Sequence, residues 1–106
     1  MKFTGRSIIG DRESSGMGAT FRARNPVTGE ELDPEFVSAT PDEVNLAADL
    51  ARQAFDHYSR TSGREKGKFL RKIASNVEAI ANEVVERAVL ETALPQARLQ
   101  AETART

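Results

Sequence analysis

Two helix-start signals, each followed by a stripe of apolar residues, fix most of what this chain can become. In the first, Thr40 stands at the N-cap and Pro41 at the first helical position, where its missing N–H costs no hydrogen bond. Glu43 completes a T-x-x-E capping box. Val44, Ala47, Ala51, Ala54 or Phe55, and Tyr58 then recur at helical spacing, which predicts one helix over 41–60, ended by Ser59 to Gly63. Ser62 and Glu65 repeat the signal. Behind them Phe69, Leu70, Ile73, Val77, Ile80 or Ala81, Val84 and Ala88 form a second stripe, with a break or kink expected near Asn82. Pro95 ends that run, because it cannot continue a helix interior. It can open a third helix through Gln96 to Arg105, with Leu99 as the main apolar contact. No capping signal follows Arg105 and Thr106, and we expect the natural chain to continue past them.

Residues 1–40 are rich in Gly, Ser, Thr and Pro and carry no helical period. Arg6–Gly10 and Ala19–Ala23 read as short strands, joined by a hairpin connection over Asp11–Gly18. Asn25 to Glu30 reads as a turn, with Pro26 presetting φ and Gly29 able to supply a positive one. Glu31 to Val37 reads as extended, broken by Pro34. The expected fold class is therefore α+β: short amino-terminal strands or a hairpin, then two or three amphipathic helices. The division is 1–40 for strands and turns and 41–106 for the helical segment, together one partial domain. It reads as partial because the core is thin. Of 106 residues 39% are apolar, but 15 of those 41 are alanine, and Leu, Ile, Val and Phe number only 23. Two amphipathic helices with so little else leave apolar surface uncovered, which points to a missing partner surface.

Charge is balanced, 15 basic residues against 16 acidic, which argues against nucleic acid or an anionic membrane as partner. The start, Met1-Lys2-Phe3-Thr4-Gly5-Arg6, lacks the apolar stretch of a secretory leader, and no apolar run approaches a membrane span. The absence of cysteine excludes disulfides and thiolate metal sites. A cytoplasmic setting is the plain expectation.

Each candidate for chemistry has a plainer reading. His57 is the single histidine and lies late in the first helix, where a cation suits the dipole; no nucleophile motif accompanies it. Gly16-Met17-Gly18 has the G-x-G start of a dinucleotide loop, but the third glycine and a following helix are missing, so it reads as a hairpin turn. Arg64, Lys66, Lys68, Arg71 and Lys72 form the one basic cluster and read as the solvated face of a helix. Glu83, Glu86 and Glu91, beside Arg87, read the same way. Ser14 and Ser15 lie in no nucleophile motif. The sequence thus offers no catalytic, cofactor-binding or metal-ligating residue.

Several short patterns in fixed order resemble the opening of one enzyme family. Phe21-x-Ala23-x-Asn25-Pro26-x-Thr28-Gly29-Glu30 is similar to an early turn of the aldehyde dehydrogenases. Ala39-Thr40-x-x-Glu43-Val44, with Ala47, Ala54-Phe55 and Tyr58, is similar to their first helix. Arg64-x-x-x-x-Phe69-Leu70-x-x-Ile73-Ala74 and then Glu91-Thr92-x-Leu94-Pro95 are similar to their second helical stretch. The ending, Leu94-Pro95-x-Ala97-Arg98-Leu99-x-x-Glu102-x-x-Arg105-Thr106, most resembles the 2-oxoglutarate semialdehyde (2,5-dioxovalerate) branch. One departure stands out: Ala93 occupies a place where the family usually has Gly, which matters if the backbone there needs a positive φ.

The resemblance covers about four-fifths of this chain but only the opening of the family's longer sequence. It implies part of a Rossmann-like cofactor domain, in an enzyme that oxidises a semialdehyde to the acid with NAD or NADP. In that chemistry a Cys thiolate attacks the carbonyl carbon and hydride leaves to the nicotinamide. A Glu-activated water then hydrolyses the thioester. All of those groups lie downstream, so the expectation is a scaffold piece that binds no cofactor and is inert alone. Its expected partners are the remainder of the enzyme and a second copy met through the apolar helix faces. Two other functions compete with this one: a free-standing helical interaction module docking through the 69–88 stripe, and an anion binder using the 64–72 cluster.

Overall fold

The computed structural model describes residues 4–106; the Met1–Phe3 start, read above as lacking a leader's apolar stretch, lies outside the described residues. The chain is α+β, as expected. Four strands, β1 (Ile8–Ile9), β2 (Arg12–Glu13), β3 (Thr20–Arg24) and β4 (Glu31–Val37), precede four helices, α1 (Pro41–Tyr58), α2 (Gly63–Ala79), α3 (Ala81–Thr92) and α4 (Gln96–Arg105). Two compact units form: residues 4–22 with 33–61, and residues 23–32 with 62–106.

In the first unit β1 and β2 pair antiparallel, Ile8 opposite Glu13 and Ile9 opposite Arg12. The loop is the two residues Gly10-Asp11, and Gly10 takes the positive φ (65°) that so tight a turn asks for. β1 lies against α1, and Gly10 sits beside Leu50. This corrects the expected pairing of Arg6–Gly10 with Ala19–Ala23. The stretch read as one long connection contains a strand of its own, joined to β1 by that two-residue turn. Gly16-Met17-Gly18 is not a hairpin turn but part of the link between two separate hairpins. Gly18 backs so closely onto Ser38 that a Cβ would strike its carbonyl, and Ser38 N–H donates to Ala19 O at 2.8 Å.

β3 and β4 form the second two-stranded sheet. Its turn is the expected one. Asn25 Oδ1 accepts from the N–H of Val27 (2.9 Å) and Thr28 (3.3 Å), while Gly29, at φ 76°, donates to Asn25 O (2.8 Å). Asn25 N–H donates to Glu30 O at one end of the hairpin, and Ser38 N–H to Ala19 O at the other. Between these bonds the first strand advances six residues and the second eight, so β4 carries two extra residues. Pro34 falls there, after a cis peptide bond with Asp33. It does not break the strand, which corrects the expectation: a bulge takes its missing N–H out of the ladder. An even insertion also preserves the alternation of faces. Arg22 pairs with Asp33 and Arg24 with Glu31 (3.5 Å) on one side. On the other Phe21 stacks on Phe36, ring centroids 5.6 Å apart.

The helix starts follow the capping logic. Thr40 Oγ1 accepts from Glu43 N–H (3.3 Å), and Glu43 Oε2 accepts from Thr40 N–H (2.9 Å), so the box closes both ways. Ser62 Oγ accepts from Glu65 N–H (3.2 Å), but the Glu65 carboxylate takes Lys68 Nζ at 3.0 Å. The second stripe is not one helix. It breaks at Ile80 (φ −117°, ψ 11°), two residues before the expected Asn82, and no side chain caps α3 there. No local sequence signal marks the position. The restart also moves the inward face from Val84 to Val85, the one apolar side chain that is buried among the described residues, at 4% exposure. α4 follows Pro95 as expected and packs on α3. Among the described residues no helix is long and apolar enough to cross a membrane.

Between α3 and α4, Ala93 is left-handed (φ 58°, ψ 16°), its N–H on Val89 O at 2.9 Å. An L-residue with a Cβ pays about 1–2 kcal/mol for that region, which glycine does not. Replacing Ala93 by Gly should therefore stabilise the helical unit by roughly 1 kcal/mol, read as a higher urea midpoint in far-ultraviolet circular dichroism. A lower midpoint would show that the turn is not left-handed in solution. In the other unit, Thr40→Ala should cost about 1 kcal/mol through loss of the N-cap.

Candidate functional site

α2, α3 and α4 leave an apolar groove of about 780 Å³ in the helical unit. Helical spacing makes it: Leu70, Ile73, Ala74 and Val77 share one face of α2, and Ala81 and Val85 continue it on α3. Gln100 and Thr103 of α4 stand across from them, while Arg71 and Glu78 add the only charged side chains to the lining. Leu70 remains 59% exposed and Ile73 43%. The Thr103 hydroxyl is already committed to Leu99 O at 2.9 Å. A groove with this lining holds a row of apolar side chains; it offers no nucleophile and base in reach of each other.

Phe21, Val44, Phe55, Phe69 and Leu70 are all more than half exposed.

The residues singled out in the sequence stay apart. His57 lies exposed in the last turn of α1, and its carbonyl accepts from Thr61 Oγ1 at 3.3 Å. Gly16-Met17-Gly18 leads into strand β3 and not into a helix, so no phosphate cradle forms. In the basic cluster Arg64, Lys68, Arg71 and Lys72 are exposed and Lys66 is half-buried. Glu91 pairs with Arg87, one helical turn away. Among the described residues no three His, Asp or Glu side chains are placed to hold a metal.

Sequence reasoning missed the reach of Glu43. Its Oε1 accepts both the N–H and the Oγ–H of Ser15, each at 2.8 Å, while Oε2 serves Thr40. The Thr40 N–H, then the Ser15 N–H and hydroxyl, hold its carboxyl down at about 2. The capping motif shows the Thr40 bond, but nothing in the sequence marks Ser15, 28 residues earlier. Folding lowers this pKa, so the stabilisation is full above the ordinary carboxylate range near 4.5 and is lost as pH falls toward 2. The Ser15 amide resonance, followed by NMR from pH 6 to about 2, should move with a midpoint well below that of the exposed glutamates. Glu43→Gln should remove the transition. A midpoint in the ordinary range would mean the Ser15 bonds do not persist in solution.

A sequence profile described as the aldehyde dehydrogenase family matches residues 12–106. The chain is 41% identical to alpha-ketoglutaric semialdehyde dehydrogenase 2 of Azospirillum brasilense, over 100% of this chain and 20% of the relative. Alpha-ketoglutaric semialdehyde dehydrogenase of Acinetobacter baylyi is 35% identical over 95% of this chain and 19% of its own length. Aldehyde dehydrogenase 1 of Tanacetum cinerariifolium is 35% identical over 90% and 19%. The chain spans about a fifth of the length of the curated relatives it matches.

Proposed function

Because the chain belongs to the aldehyde dehydrogenase family, we infer that it is the amino-terminal scaffold of an NAD(P)-dependent semialdehyde dehydrogenase and is inert alone. The parent oxidises 2,5-dioxopentanoate or a similar aldehyde to the acid, the reading favoured by the names of the two semialdehyde relatives. The observation that carries the scaffold role is the absence of cysteine from a chain that matches the family over residues 12–106. The family's chemistry begins with a thiolate on the carbonyl carbon, and no side chain here replaces it. NAD(P)+ supplies the hydride acceptor in the parent; this chain, with no glycine loop leading into a helix, contributes no pyrophosphate cradle.

The chain's work is then packing. The groove between α2, α3 and α4 and the exposed stripe of α1 are apolar faces that the remainder of the enzyme, through its Rossmann-like cofactor domain, covers. The setting is cytoplasmic. The groove also suits a second reading, a free-standing module that docks an apolar helix of another protein.

Assaying residues 1–106 with 2,5-dioxopentanoate and NAD+ or NADP+ should give no reduced nicotinamide above background. The product of the natural reading frame should turn over and should lose activity on alkylation of a cysteine beyond residue 106. Turnover by the 106-residue chain would sink the scaffold reading. A reading frame that closes here would transfer the groove to the docking module.

A further inference from the structure

We draw no further inference here: the strongest candidate, the basic face of α2 formed by Arg64, Lys68, Arg71 and Lys72, is a stripe of exposed surface cations, and nothing in the structure shows what covers it.

Discussion

An amphipathic helix gains its stability in water from whatever covers its apolar stripe, and little in this chain is covered. α1 buries no residue, and on α3 Val85 alone is buried. The order instead rests on short polar links: the Thr40–Glu43 box, the Asn25 turn, the Ser62 cap and the Arg22–Asp33 pair. Each such bond adds about 0.5–1.5 kcal/mol net, and exposed ion pairs add less. Local geometry is therefore well specified while tertiary cohesion is thin.

Glu43 is where local and tertiary order meet. A carboxylate at the N3 position faces the helix start whether or not anything else is near. Here its second oxygen also orders the link that follows the β1–β2 hairpin, through both donors of Ser15. One side chain thus ends the irregular region and begins the regular one. The same three donors that place it also keep it ionised far into acid.

The α+β class, both capped helix starts, the Asn25–Gly29 turn and the helix after Pro95 were legible because each depends on residues within four positions of one another. The misses share the opposite property. Pairing β1 with β2 depends on a competition between turns, and the Pro34 bulge on a count of residues along two strands. Ile80 has neither a cap nor a glycine to announce the break, so Asn82, the polar residue nearby, drew the expectation. The shift from Val84 to Val85 then follows from the phase lost at Ile80. The groove was legible only as an uncovered stripe. Its third wall, α4, comes from the reversal at Ala93, whose backbone conformation sequence could pose as a question but not answer.

That reversal links the departure at Ala93 to the shape of the groove. A left-handed residue is needed to end α3 and turn the chain so that α4 stands across the groove from α2. Where the family usually places glycine the turn is free of strain, and here an alanine holds it at some cost. The conformation persists because Thr92 and the α3–α4 packing over-determine it: the Thr92 hydroxyl accepts from Leu94 N–H at 3.2 Å and donates to Ala88 O at 2.6 Å. An element held against its own preference marks the geometry that matters. Here it is the width of the apolar groove between α2 and α4.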